Sequence, residues 1–482
     1  MNQSFKFDKK KDEICIVSHI GQFSETWAYF PIGIAMISGA LKKVGYKVRL
    51  LDLDRSPELK DEISRYKIIM FSLIVGNSLS YTLDKIEELK SMQDKTIIVG
   101  GPLVLAMPQR VMEETKTDFL IHGDAEDAIV NLIKALETNN DFSKVMGVGY
   151  RKNGKVVINQ PAIIEDLDTL PLPDMESYDM EAYIKHHYLN EGLKVPSLNW
   201  YSSRGCTFDC QFCFHDKNFR GQSAKRVVKD LKYIMDRYGV RGVWFFDDNF
   251  MNSTKRVEEF CELVKPLNLR WGCEARATSI NENIVRKMKD AGCVMIRNGL
   301  ESGSDRMLEV MNKGAKVKHI KNAIRILTDL DMPINGGFMF GVPTETVKDA
   351  KETLKLIRWI YKINPKAFIH VYYYTPRPAT PWYDLAVKQG MKDFTLRDWI
   401  NIDKYQGGLH FNMSKMTEKQ VKRLMLRVPI YKFLVRENKF KRILEYVTKK
   451  EHIVNVTKMF KNFLDVQTPL VHHNKNSVTN RK

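Results

Sequence analysis

The sequence predicts an α/β protein of two successive strand–helix series, the first a doubly wound parallel sheet, followed by a helical C-terminal extension. Three observations lead there. Short apolar runs such as Ile68-Ile69-Met70-Phe71 alternate with helical patterns over two long stretches, as a parallel sheet covered on both faces requires. The ends of those runs are small or polar, and such sheets bind ligands at the carboxyl ends of their strands. Beyond Met416, apolar residues take helical spacing among lysines and arginines.

Length and composition set the frame. A chain of 482 residues suggests about two to four domains. Apolar residues make up 44%, enough for large cores. The start, Met1 to Glu13, is polar and lysine-rich with no apolar h-region, so no signal peptide is expected. No apolar run approaches the roughly 18 residues of a membrane span. The seven cysteines, three of them clustered, fit a reducing cytoplasm better than a disulfide framework. Net charge is +18, and residues 401–482 hold eighteen Lys and Arg against six Asp and Glu, a net of +12. That asymmetry points to an anionic partner for the tail, a membrane surface, a nucleic acid or an acidic protein. A solvated lysine-rich helix face is the plain alternative.

Residues 1–145 form the first unit. Its strands are Ile14–Val17, Val48–Asp52, Ile68–Ser72, Ile97–Gly100 and Phe119–Ile121. Ile34, Ile37, Leu41 and Val44 give the first helix its period, and Gly45 ends it. Another helix follows from Glu126. Residues 146–196 connect the units. Val148-Gly149-Tyr150 and Val156-Val157-Ile158 flank Asn153-Gly154, a strong hairpin signal. Leu167 to Met180 predicts an extended linker packed on the surface.

Residues 197–390 carry the second series. Its strands are Leu198–Ser202, Val243–Asp248, Arg270–Arg276, Val294–Glu301, Ile334–Gly341 and Phe368–Tyr374. In the last, alternation puts Tyr372 and Tyr374 on one face, and core packing is the expectation. Residues 391–466 form a basic helical region whose apolar stripes suit a membrane interface or a cap on the neighbouring domain. The polar end, 467–482, is expected to be disordered.

The most informative stretch is Cys206-Thr-Phe-Asp-Cys210-Gln-Phe-Cys213. This spacing turns three sulfurs toward one centre. Three thiolates hold three irons of a [4Fe–4S] cube, whereas fully coordinated clusters normally use four cysteines. Cys261, Cys273 and Cys293 stand alone, so one iron is left for another ligand. Zinc is the competing reading, with His215 as a fourth ligand.

The pattern C-x3-C-x-(aromatic)-C, here with Phe212, resembles the radical S-adenosylmethionine (SAM) enzymes. The resemblance covers about 13–390 and implies a partial (β/α)6 barrel over the second series. It implies that the open iron chelates the amino and carboxylate groups of SAM. Strand-end residues then take expected roles, since a parallel barrel carries its site there. Asp247 and Asp248 lie near the methionine amino group and substrate, as catalytic candidates. Arg276 pairs with the SAM carboxylate. Glu301 meets the ribose or amine, with Ser302 beside it or capping the next helix. Gly341, in Gly341-Val342-Pro343-Thr344-Glu345, lets the backbone approach adenine.

The first unit resembles the cobalamin-binding, Rossmann-type domain found upstream of the barrel in one subfamily. Phe30-Pro31-Ile32-Gly33, Val99-Gly100-Gly101-Pro102 and His122-Gly123-Asp124-Ala125-Glu126 carry that likeness. Ser72, Gly76, Gly100, Gly101 and Pro102 are the expected cofactor contacts, glycine allowing close backbone approach. One departure is plain. Domains that ligate cobalt by histidine carry D-x-H-x-x-G, and here the loop reads Ser18-His19-Ile20-Gly21-Gln22. His19 also shows no acceptor in sequence for its other ring nitrogen, so it is read as an ordinary loop residue.

The resemblance implies an enzyme whose reduced cluster cleaves SAM to a 5′-deoxyadenosyl radical. An electron donor such as flavodoxin or ferredoxin would be its partner. With cobalamin, the expected outcome is methyl transfer to an unactivated carbon of an apolar, lipid or secondary-metabolite substrate. The alternatives are carbon-skeleton coupling, cyclisation or rearrangement without methyl transfer, and RNA modification. RNA-methylthiolating relatives carry further upstream cysteines and a terminal β-barrel. Here Cys15 is alone upstream and the tail reads helical, which argues against a nucleic-acid substrate. The basic tail suggests peripheral contact with the inner membrane surface.

Overall fold

The computed structural model describes residues 8–9, 12–21, 29–138, 141–185, 192–214, 216–401 and 411–436. In the first unit the apolar runs become β1 (Ile14–Ser18), β2 (Val48–Asp52), β3 (Ile68–Ser72), β4 (Thr96–Gly100) and β5 (Phe119–Ile121), joined in parallel. β1 is buried along its whole length, because helices cover both faces of a parallel sheet. The strand order is β2-β1-β3-β4-β5-β6-β7. The order reverses at β1, so the crevice between the carboxyl ends of β1 and β3 is the switch point where such sheets take ligands.

Strands β6 (Val148–Lys152) and β7 (Lys155–Ile158) are the predicted hairpin. Asn153 and Gly154 both have positive φ, +51° and +77°, the twist that a two-residue hairpin turn needs. The hairpin was expected to belong to the connector between the units. It adds to the first sheet by antiparallel pairing of β5 with β6, which carries that sheet past residue 145. The linker is also more buried than predicted. Leu167, Leu170, Met175 and Tyr178 are buried, and a Cβ at Gly39 would lie 2.5 Å from the Leu172 carbonyl. Only glycine permits that approach of the linker to the helix Ile32–Lys43.

The second unit is a six-stranded parallel sheet. Its strands are β8 (Ser197–Trp200), β11 (Gly242–Phe245), β12 (Arg270–Ala275), β13 (Cys293–Glu301), β14 (Ile334–Phe340) and β15 (Phe368–Tyr373). Their order is β15-β14-β13-β12-β11-β8, and the edge strands β8 and β15 do not pair, which leaves the barrel open. Between β8 and β11 lies a two-residue ladder that the sequence did not predict, β9 (Ser203–Arg204) with β10 (Arg220–Gly221). It closes the cysteine loop at its base. Helices separate the strands with caps that the sequence encodes. Ser223 caps Ala224–Tyr238 and left-handed Gly239 ends it. Thr346 and Asp349 form a capping box on Val347–Ile363.

The last described helices, Glu418–Met425 and Arg427–Arg436, pack on Val347–Ile363. Val421, Leu424 and Val428 are buried in the barrel core, and the Lys432 ammonium stands 4.7 Å from the Phe368 ring centre. Val421, Leu424 and Val428 therefore pack on a barrel helix, as the capping alternative expects, while Leu426 is exposed. Residues 437–466 and the expected disordered tail 467–482 lie outside the described residues. Among the described residues no helix is long and apolar enough to cross a membrane.

Candidate active site: the cysteine loop and the crevice beside it

The cysteine loop hangs between β9 and β10, at the carboxyl end of β8. Its backbone is pinned at several points. Cys206 N–H donates to the Asp216 carbonyl at 2.9 Å, Cys213 N–H to the Cys210 carbonyl at 3.1 Å, and Gln211 N–H to the Met311 carbonyl at 3.1 Å. Gly205 has φ +77°, and a Cβ there would lie 2.4 Å from the Asn218 carbonyl, so the sharp entry to the loop requires glycine. Cys206 and Cys210 are buried and Cys213 is exposed. Burial pushes the Cys206 thiol up. Holding these groups as thiolates needs a bound cation.

The donor set fits an iron–sulfur cube. Among the described residues no three metal-ligating side chains form a single-ion group, and His215, the fourth ligand of the zinc reading, lies outside the described residues. A cube spreads its three thiolates, since each binds a different iron.

Arg276, just past β12, fits the expected place of an anion partner. It is 6% exposed, its Nη1 lies 3.2 Å from Cys210 Sγ, and its guanidinium stacks 3.6 Å from the Phe208 ring centre. Its Nε and Nη2 are buried without a partner. Two unpaired buried N–H groups are costly, and a carboxylate presented beside the cysteines would satisfy them. The SAM carboxylate matches that requirement.

Glu301, at the end of β13, sits in the left-handed region at φ +62°, where the register slips between Gly299 and Glu301. Strain at a strand end beside a cofactor loop is typical of functional sites. Its Oε1 accepts from Lys313 Nζ at 3.0 Å, and that ammonium stands 5.7 Å from the Phe212 ring centre. Phe212 packs against Trp382 at 5.8 Å. Lys313 was missed, because Met311-Asn-Lys-Gly314 matches no motif; its 7% exposure is what marks it.

Three expected residues prove structural. Asp247 is 1% exposed, and its carboxylate accepts from the Ser202 N–H at 2.7 Å and from the Ser202 and Ser203 hydroxyls. It braces the strand entering the loop and is not placed as a catalytic acid or base. Asp248 is exposed beside the thiols and keeps the catalytic candidacy. The Ser302 hydroxyl is 3.1 Å from Thr353 Oγ1 and accepts the Ser304 N–H at 3.2 Å, so it is engaged in the turn before the helix Asp305–Val310, whose N-cap is Ser304. Gly341 donates its N–H to Glu345 at 2.6 Å, and a Cβ there would lie 2.8 Å from the Tyr373 ring. Its glycine is thus explained by packing. Glu345, also missed, is 1% exposed, and burial raises its carboxyl to about 8.

By strand alternation Glu274 and Arg276 share a face, as do Arg297 and Glu301. Arg297 pairs with Glu274 at 2.9 Å and lies 4.8 Å from the Trp244 ring centre. On β15 His370 stacks on Tyr372, and burial with Arg297 and Lys432 lowers it to about 4, so it is neutral at pH 7. Tyr372 is 54% exposed, against the core expectation, while Tyr374 is buried against Trp382.

In the first unit the end of β4 is bare: a Cβ at Gly100 would meet nothing within 4 Å. Gly101 differs from its expected role. At φ +96° its Cβ would lie 2.4 Å from Ser72 Oγ, so it packs on the β3 loop and is not the wall of the crevice. Gly76, at φ +125°, turns the chain into the helix Asn77–Lys90, and Pro102 starts the next short helix. The open end of β4 thus stands one strand away from the switch point between β1 and β3. His19 does have an acceptor: Nδ1 lies 3.0 Å from Asp54 Oδ1, and Asp54 also takes the Ile20 and Gly21 N–H groups. The partner stands 35 positions away, where sequence spacing gave no signal.

Comparison with known proteins agrees with this geometry. The radical SAM superfamily profile matches residues 200–357, and the B12 binding domain profile matches residues 28–133. An uncharacterized methyltransferase of Pyrococcus horikoshii is 29% identical over 365 residues, covering 74% of this chain and 76% of the relative. The anaerobic magnesium-protoporphyrin IX monomethyl ester cyclase of Cereibacter sphaeroides is 26% identical over 412 residues, 80% of this chain and 63% of that protein. The solved structure of the cobalamin-dependent SAM radical enzyme OxsB, with aqua-cobalamin and SAM bound, superimposes with a TM-score of 0.66 at 18% identity. It covers 94% of this chain and 74% of that one; at this identity the likeness is one of fold. The two matched domains, with three loop thiols on one and an open strand end on the other, make this chain a radical SAM enzyme of the B12-binding-domain subfamily, which uses a [4Fe–4S] cluster, SAM and cobalamin.

Proposed function

We propose that the enzyme transfers a methyl group to an unactivated carbon of an organic substrate. The observation that carries this reading is the presence in one chain of a B12-binding domain with an open strand end at Gly100 and a radical SAM domain with a three-cysteine loop. When bound, the cofactors supply one-electron cleavage of the SAM sulfonium and a transferable methyl group. The chain's own residues do the rest. Cys206, Cys210 and Cys213 hold the cluster, and Arg276 gives its free N–H groups to the SAM carboxylate. Lys313 holds the Glu301 side chain in place at 3.0 Å, so that Glu301 can orient a SAM amine or hydroxyl. Asp248, exposed beside the thiols, can hydrogen-bond the SAM amine or a polar group of the substrate. Arg297, Glu274 and Tyr372 offer charge and a ring face to the substrate, with buried Trp244 backing Arg297. The test is anaerobic incubation with methyl-deuterated SAM and a metabolite extract. Label should appear in one product, with 5′-deoxyadenosine and S-adenosylhomocysteine formed together. Deoxyadenosine with substrate turnover but no labelled product would exclude methyl transfer.

A cyclisation without methyl transfer is the second reading, favoured by the likeness over 412 residues to a protein named a cyclase. An apolar or lipid substrate at a membrane surface rests on the +12 charge of residues 401–482. Val421, Leu424 and Val428 are taken up by the barrel, so this part of the proposal now rests on residues 437–466. Flotation with anionic vesicles, with RNA as competitor, tests it: failure to float, or displacement by RNA, removes the lipid reading.

A further inference from the structure

The helix Ala125–Glu137 begins with a carboxylate in the wrong place for its usual job. Asp124 occupies the N-cap, yet its side chain makes no capping hydrogen bond. An N-cap aspartate normally accepts a helix N–H. Asp124 instead reaches out of the first unit. Its Oδ1 accepts from Arg204 Nη1 at 2.6 Å, and its Oδ2 takes the Ile164 N–H at 2.7 Å and the Arg220 guanidinium. Glu126, one turn position on, takes both Arg204 nitrogens, at 2.5 and 3.1 Å. Arg220 also holds Asp216, at 2.7 Å, and the Asp216 carbonyl receives the Cys206 N–H.

Both arginines are opposite one another in the β9–β10 ladder, the two ends of the cysteine loop. The side chains of Asp124, Glu126 and Arg220 are 9%, 5% and 7% exposed. A buried ionic network is a poor way to gain stability, because desolvation cancels much of the attraction. What it gives is fixed geometry: two-pronged guanidinium–carboxylate pairs hold distance and angle together.

We propose that Asp124 and Glu126 are positioning residues for the iron–sulfur cluster: carboxylates of the B12-binding domain clamp both ends of the cysteine loop through Arg204 and Arg220. The loop is thereby set by two units at once, since Asp247 and Arg256 brace the same segment from the barrel side through Ser202, Ser203 and Gln222. The clamp places the open iron and Arg276 in register for SAM, and it ties the cluster's geometry to the seating of the corrinoid domain.

The experiment uses full-length protein, reconstituted anaerobically with iron, sulfide and hydroxocobalamin. Glu126→Gln should raise the SAM dissociation constant at least fivefold and change the paramagnetic resonance spectrum of the reduced cluster with SAM. Iron content should stay near that of the parent. Arg204→Lys keeps the charge but loses the two-pronged geometry, and should show the same spectral change with a smaller loss of affinity. Asp230→Asn breaks another buried pair, Arg226–Asp230, away from the loop; it should lower the melting temperature and leave the spectrum alone. If Glu126→Gln does not fold, Arg204→Lys carries both readouts. Parental SAM affinity and spectrum in a folded, iron-replete clamp variant would overturn the proposal, as would an equal spectral change in Asp230→Asn. Neither readout depends on a substrate, so failure here is distinct from failure of the methyl-transfer reading.

Discussion

The two sheets of this molecule are both parallel, and both present their carboxyl ends as sites, yet they do it by opposite means. The first sheet ends in Ser72, Gly76, Gly100 and Gly101, with open space over Gly100. The second ends in thiols, Arg276, Asp248 and the Glu301–Lys313 pair. A large flat cofactor is seated by shape and backbone, so its site is an absence of side chains. A charged nucleoside and an iron cluster need counter-charges and soft donors, so their site is crowded with them. A site made of absence leaves little in the sequence beyond glycines. A site made of charge leaves names and spacings.

That contrast sets the predictions. The largest effect belongs to the thiols. Single replacement of Cys206, Cys210 or Cys213 by alanine should abolish SAM cleavage, by at least a hundredfold, and strip the cluster, as iron analysis and product assay would show. Full cleavage by the triple variant would break the charged half of the comparison. Next is Gly100→Trp, which fills the open space and should lower bound cobalt at least tenfold by metal analysis. Gly101→Trp acts differently: its Cβ strikes Ser72, so it should lower the melting temperature as well. Equal loss of cobalt with equal loss of stability in both would blur the distinction drawn between them.

Arg276→Lys keeps a charge but removes the planar fork. It should weaken SAM binding about tenfold, which corresponds to about 1.4 kcal/mol, with iron content retained. Unchanged affinity would mean that the two unpaired N–H groups serve something other than SAM. The smallest effect concerns Glu345. Burial raises its carboxyl from 4.5 to about 8, so the folded chain holds a proton there that the unfolded chain releases. Stability from this group is full below about pH 4.5 and is lost as pH rises through 8. Glu345→Gln, which mimics the protonated acid, should flatten the fall in melting temperature between pH 5 and 8. An unchanged slope would mean that Glu345 is ionised in the fold.

Much of the fold was legible because parallel strands buried on both faces read as apolar runs. β2, β3 and β5 have the predicted ends. β9 and β10 were not legible, since two residues carry no periodicity. The cysteines were visible by spacing, and Arg276 and Glu301 by their place at strand ends. Asp247 and Ser302 stood at equally good places, but only the fold shows that Ser202, Ser203 and Thr353 already occupy them. Partners distant in sequence explain the other misses: Asp54 for His19 and Asp124 for Arg220; for the stripe beyond Met416 the sequence left capping and a membrane interface open, and only the fold shows Val347–Ile363 beneath Val421, Leu424 and Val428. Amphipathicity says that a face is covered and not by what.

The central claim is that one chain carries both the cluster and the corrinoid. Metal analysis of anaerobically reconstituted protein, after removal of unbound iron and hydroxocobalamin, tests it most directly. The account predicts about four irons and about one cobalt per chain, the iron lost with the cysteines and the cobalt with Gly100→Trp. Zinc in place of iron, or iron without cobalt after loading, would contradict it.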